Sequence, residues 1–174
     1  MTDEVLNIIL EMNRWIWDRF KNVLDEMTPD EVNWRPLPQA NNINAIVRHL
    51  RIEAEWHVAS LERGEEMPVE VSASDQQWID SVPMDYERNL NDLETLYRRF
   101  VTALADTTPS ALRQRTAMAY QGLPREHPLH LLSFHLAVHL AGHLGQISTI
   151  RNLYRKSRGE PARFFPDNPT FPKF

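Results

Sequence analysis

Apolar residues recur at three- and four-residue steps over four stretches of the chain, the spacing that lines one face of a helix. Val5, Leu6, Ile9, Met12, Ile16, Phe20, Val23, Leu24 and Met27 predict a first helix over 3–27. Thr2 suits its cap, Asp3 and Glu4 suit its first turn, and Thr28-Pro29 ends it, since proline disfavours helix in the residue before it. Ile46, Val47, Leu50, Ala54, His57, Val58 and Leu61 predict a second helix over 42–63, capped by Asn41 or Asn42 and stopped by Gly64. The third, over 83–106, opens on Pro83 and carries Tyr86, Leu90, Leu93, Tyr97, Phe100, Val101 and Leu104. The fourth, over 128–157, runs from Leu131 through Leu140, Ile147 and Ile150 to Leu153 and closes at Gly159.

The intervening segments lack this period. Residues 31–41 hold Pro36 and Pro38 and read as a connection. Residues 65–82, with isolated apolar residues such as Trp78 and Ile79, read as a long crossover holding at most one helical turn, and 110–127 as a second long connection. No stretch alternates as a strand would. The expected fold is therefore all-α, a four-helix bundle with long crossover connections, forming a single domain over 1–174. An extended tail follows from about residue 160, where four prolines punctuate Phe164, Phe165, Phe171 and Phe174. Those rings are available to pack on the bundle or on a second subunit.

Composition removes several classes of function. No apolar run reaches the ~18 residues of a membrane span, and the acidic N-terminus does not resemble a secretory signal, so the expected location is cytoplasmic. A net charge of −5 provides no basic stripe for phosphates, which argues against a nucleic-acid partner. The absence of cysteine removes disulfides, thiolate metal sites and cysteine nucleophiles, leaving His, Asp and Glu as the ligands for any metal.

Five of the seven histidines lie between 127 and 143, and His135, His139 and His143 are spaced by four. A four-residue step returns to the same helix face, so these imidazoles converge. One such pair can equally line a polar groove. Neighbouring Leu140, Ile147 and Ile150 turn this face inward, however, and burying unpartnered imidazoles costs on the order of 1–3 kcal/mol each. His49, among Ile46, Val47 and Leu50, is the natural third ligand from another helix. Three histidines leave coordination free for water or substrate, as in catalytic zinc sites.

The run His139-Leu140-Ala141-Gly142-His143-Leu144-Gly145-Gln146-Ile147, followed by Arg151, resembles the last-helix signature of the DinB/YfiT-like family of metalloenzymes. Trp34-Arg35-Pro36, Asn42-Ile43 and Val47-Arg48-His49-Leu50 resemble that family's entry into its second helix. The resemblance implies a bundle with non-sequential helix order and one divalent ion, zinc or nickel, on His49, His139 and His143. Relatives often carry a further histidine at the position of Gly142, whereas this chain adds His135. The resemblance also implies chemistry on a small molecule with a low-molecular-weight thiol, as an S-transferase or isomerase. A metal-dependent hydrolase and a non-catalytic, stress-associated metal-binding protein are the alternatives, and a homodimer is expected.

Other residues have both an ordinary and a functional reading. Gln146 stands near the histidine face, able to hydrogen-bond a ligand or to fill a polar gap. Glu53, four residues after His49, can orient its ring, act as a base or simply face solvent. These two are the catalytic candidates. Gly145 suits close helix packing, and His57, His127 and His130 are assigned to the surface or the site mouth. Arg48 and Arg51 lie about 100° and 200° from His49 around the helix, poorly placed for a carboxylate-bearing thiol. Glu-x-x-His, His-Glu-x-x-His, a phosphate-binding glycine loop and Gly-x-Ser-x-Gly are all absent.

Overall fold

A computed structural model describes residues 3–25, 27–65, 72–108, 110–113, 115–120 and 123–161, with only the backbone course for 115–129. Four long helices form the bundle: α1 (Asp3–Leu24), α3 (Ile43–Arg63), α5 (Tyr86–Ala105) and α6 (Leu129–Ser157). Two shorter ones, α2 (Pro29–Asn33) and α4 (Ala73–Ser81), lie in the first two connections. The third connection carries a 3-10 turn (Ala111–Arg113) and an antiparallel hairpin of β1 (Arg115–Tyr120) and β2 (Leu123–Pro128), paired from Arg115↔Pro128 to Tyr120↔Leu123. This hairpin occupies what reads in sequence as plain connection; the core formed by the described residues is helical.

Local chemistry sets most helix ends. Asn42 caps α3 by accepting from the Ala45 N–H at 2.8 Å, and Gly64 closes it at φ 66°, where a side chain would be strained. α5 starts at Tyr86 rather than Pro83, because the Asp85 carboxylate accepts from the Arg88 N–H. Pro83 instead lends its carbonyl to Asn89 Nδ2 at 2.8 Å. α1 stops at Leu24, short of the expected Met27. Arg151 on α6 takes the Val23 and Asp25 carbonyls at 2.7 and 3.2 Å, and Thr28 already caps α2, with Pro29 in its first turn. Thr2 and the tail from 162 lie outside the described residues.

The core comprises Phe20 from α1, Leu50 and Ile46 from α3, Leu93 and Phe100 from α5, and Leu132, Leu136, Leu140 and Ile147 from α6, all essentially inaccessible. α1 and α3 each pack between α5 and α6, so α1 sits diagonally from α3 and α5 from α6, while the consecutive helices α3 and α5 are neighbours. Contacts along the helices give their directions. Asn13 meets Ser133 and Val23 meets Arg151, so α1 and α6 run parallel. Arg51 meets Asp92 and Arg99 meets Glu62, so α3 and α5 run parallel. Trp17 stacks on Tyr97 and Lys21 reaches Glu94, which sets the two pairs antiparallel. Only the α3–α5 connection must therefore travel the length of the bundle, roughly 30 Å. It does so through α4, which opens on a Ser72–Asp75 capping box. Arg48 on α3 holds its far end, with Nε donating to the Val82 carbonyl at 2.7 Å and Nη2 to the Ile79 carbonyl. The third connection, from α5 to α6, joins antiparallel helices and has only to cross one end.

Arg151 also pairs with buried Glu31 at 2.7 Å, tying α1, α2 and α6 together. Removing one partner of such a pair leaves an uncompensated buried charge at a cost of about 3–5 kcal/mol. The position that resembles the family signature thus serves the scaffold.

Candidate metal centre

α3 and α6 lie antiparallel, so the face of α3 bearing His49, Glu53 and His57 runs against the face of α6 bearing His143, His139 and His135. At one end His49 Nε2 lies 2.9 Å from His139 Nε2, which lies 3.1 Å from His143 Nε2. All three rings are half-buried, and their ligating nitrogens lie within 4.8 Å of one another. Tetrahedral bonds of ~2.0–2.1 Å to one ion separate nitrogens by about 3.3 Å, and both separations from His139 Nε2 stand within a few tenths of an ångström of that value.

Hydrogen bonding fixes the orientation of the last ring. The Gln146 side-chain oxygen accepts from His143 Nδ1 at 2.9 Å, leaving a lone pair on His143 Nε2. An acceptor on the far nitrogen is what a metal-binding imidazole requires. Two more imidazole nitrogens meet that lone pair with no carboxylate in the cluster, an arrangement a cation satisfies better than a single shared proton does. The donor set therefore fits a divalent ion of the zinc or nickel kind, which imidazole suits.

The electrostatics agree. Burial, then the neighbouring His143, lowers His49 to about 4. Burial, then His143, His49 and the other rings of the row, lowers His139 to about 3. His143 is also lowered by burial, with the Gln146 bond working against the shift. Neutral rings at neutral pH are ready to ligate.

One turn further along, a second pair of rings behaves differently. His57, assigned from sequence to the surface or mouth, is fully buried in the core. Its Nδ1 donates to the Glu53 carbonyl at 2.7 Å, leaving Nε2 to accept from His135 Nδ1 at 3.1 Å. The two rings are nearly parallel, with Phe100 edge-on to His57. His57 lies two turns beyond His49, mirroring the His135-His139-His143 spacing, and that symmetry was the available signal. His130 is half-buried and donates from Nδ1 to the Leu112 carbonyl at 3.2 Å, while the side chain of His127 lies outside the described residues.

The Glu53 carboxyl stands between the two histidine groups, and burial raises it to about 7. Among the described residues no hydrogen bond joins it to His49. Arg48 is committed to the α4 carbonyls and Arg51 to Glu55, Asp92 and the face of Trp78, so neither basic group serves the centre. Beside Gln146 lies an open groove of about 680 Å³ between α6 and the segment entering α3, with Pro36, Ile46, Gly142, Gly145 and Leu153 among its walls and, among the described residues, no ionisable side chain in its lining.

A family model described as mycothiol-S-transferase matches residues 9–156, spanning all four long helices and every histidine of both groups. The chain belongs to the mycothiol-S-transferase family. This places it in the DinB/YfiT-like group that its motifs resemble. No curated protein matches the chain. As in that group, the helix order of this mycothiol-S-transferase family member is non-sequential, and its three converging histidines could hold a metal ion. No described helix is long and apolar enough to cross a membrane.

Proposed function

We propose that this chain is a divalent-metal-dependent thiol S-transferase of the cytoplasm, acting on a small molecule, with zinc or nickel on His49, His139 and His143. The observation that carries the reading is the convergence of three neutral Nε2 atoms, one with its tautomer set by Gln146, in a chain with no other nucleophile motif. A divalent ion there supplies Lewis acidity, which favours the ionised form of a thiol or water in contact with it. The remaining work falls to side chains. Gln146 holds His143 in the ligating tautomer. Glu53 is the candidate base, since a carboxyl near 7 can take the thiol proton as sulfur bonds to an electrophilic carbon and the leaving group departs. The uncharged groove beside Gln146 suits a thiol bearing hydroxyl and amide groups better than one bearing carboxylates, whose charge would find no basic partner there.

The test is to load the protein with cobalt(II), titrate it with a sugar-type thiol and with glutathione, and assay conjugation of a chlorinated aromatic. The expected result is a thiol-dependent change in the cobalt spectrum and turnover that is lost in His49→Ala. Glu53→Gln should slow turnover by about 10²–10⁴-fold. Saturating thiol that leaves the spectrum unchanged and yields no conjugate overturns the reading. Thiol-independent hydrolysis by the same protein supports the hydrolase instead.

A further inference from the structure

The three rings of the metal centre are not held alike. Gln146 orients His143 through the far nitrogen of its ring. His139 is the central ring, since its Nε2 meets both His49 Nε2 and His143 Nε2, yet no hydrogen bond reaches its Nδ1 among the described residues. A metal-binding imidazole ordinarily donates from that far nitrogen to an acceptor, which sets the rotation of the ring. For His139 the neighbouring rings are left to do this. His143 and His49 stand 4.6 and 5.1 Å away between centroids, and His135 stands 5.4 Å away at a tilt of 33°. The first two are fellow ligands, whose own positions depend on the ion. His135 lies outside that ligand set, and its spacing from His139 falls in the 4.5–7 Å range at which offset or edge-on aromatic rings attract.

His135 is itself held from behind. The Glu53 carbonyl accepts from His57 Nδ1 at 2.7 Å, and His57 Nε2 accepts from His135 Nδ1 at 3.1 Å. One tautomer of each ring completes this row, and the two planes are parallel to within 3°. His57 is wholly inaccessible, with Phe100 edge-on at 6.2 Å. Stability alone would be served as well by an aliphatic pair, because replacing both partners of a buried hydrogen bond by apolar groups of the same shape is nearly neutral. What a fully satisfied polar row adds is a single orientation.

We propose that His135, oriented by His57, is a positioning residue for His139: its ring faces that of the central ligand and holds Nε2 toward His49 and His143 before any ion arrives. The proposal rests on the metal reading of the trio and adds to it a buttress that takes no ligand itself. It gives a role to a histidine that the four-residue spacing alone would count as one more ligand.

Zinc affinity of the full chain, measured by competition with a chromophoric chelator, tests it alongside urea unfolding of the metal-free protein. His135→Ala removes the ring contact and should weaken zinc by about 10–100-fold, with one ion per chain still bound at saturation. His135→Leu, which fills the space without a flat face, should weaken it likewise. His135→Phe restores a flat ring but cannot donate to His57, so most of the affinity should return although the urea midpoint falls. The cobalt(II) spectrum should follow the same order, close to wild type in His135→Phe and displaced in the other two. A residue serving stability alone would move the midpoint in all three variants and zinc affinity in none. Circular dichroism verifies that each variant is folded. Wild-type affinity in His135→Ala and His135→Leu, or equal weakening in all three, overturns the proposal and leaves the metal reading standing. Wild-type protein that binds no zinc overturns both.

Discussion

Two groups of histidines lie one turn apart between the same two helices, and only one of them is built to take a ligand. In His57 and His135 each hydrogen bond along the row has a donor and an acceptor, beginning at the Glu53 carbonyl, and the first ring is sealed in the core. In His49, His139 and His143 the far nitrogen of one ring is used by Gln146, and three Nε2 atoms face one another with no other hydrogen-bond partner among the described residues. Spacing alone does not separate these cases, since both follow the four-residue step. The difference lies in which nitrogen is already occupied.

The contrast breaks most sharply at His139. His139→Ala should lower the bound divalent ion from one per chain to none in equilibrium dialysis, with a loss of affinity on the order of 10³-fold or more, while thermal stability of the metal-free protein changes little. His57→Ala should do the reverse. It leaves a cavity and removes the acceptor of the His135 Nδ1 bond, costing about 2–4 kcal/mol in urea unfolding with metal stoichiometry unchanged.

Acid should sharpen the same distinction. An unfolded histidine takes up a proton near 6.5, but His57 in the fold resists until about 4, owing to burial first and, to a lesser extent, His135, with the Glu53 carbonyl bond opposing. The unfolded state therefore binds the extra proton across this window. The stability that His57 contributes is full above 6.5, falls by about 3 kcal/mol as pH drops toward 4 and levels off below, with His49 and His139 adding losses of the same sign in metal-free protein. Urea midpoints of metal-free protein across that range should show the decline, with a shallower slope in His57→Phe. For the trio, rings held neutral to about 4 and 3 imply that metal is retained below the ordinary histidine value. The smallest effect belongs to Gln146→Ala, which frees the His143 tautomer and should weaken metal binding by about 10–100-fold, whereas Gln146→Glu, still an acceptor, should keep it.

Much of this was legible in the chain. The apolar stripes of 3–27, 42–63, 83–106 and 128–157 place the four long helices within a few residues, because each buries one face and burial imposes the period. α4 was nearly invisible to that criterion, as none of its residues is buried; a polar capping box starts it, and Arg48 holds its end. The hairpin of 115–128 likewise has no alternating pattern to announce it. The burial of His57 is not legible in the chain, because burial of a polar ring depends on a partner, His135, supplied by another helix. Gly145 suggests close helix packing in the sequence, but a Cβ there would meet nothing within 4 Å.

Long-range proton–nitrogen correlation spectra of the histidine rings, recorded before and after adding one equivalent of zinc, test the central claim most directly. Nε2 of His49, His139 and His143 should shift on zinc addition, Nδ1 of His143 should carry its proton throughout, and both nitrogens of His57 and His135 should stay where they are. Zinc-dependent shifts at His57 or His135, or an unmoved Nε2 at His49, would contradict it.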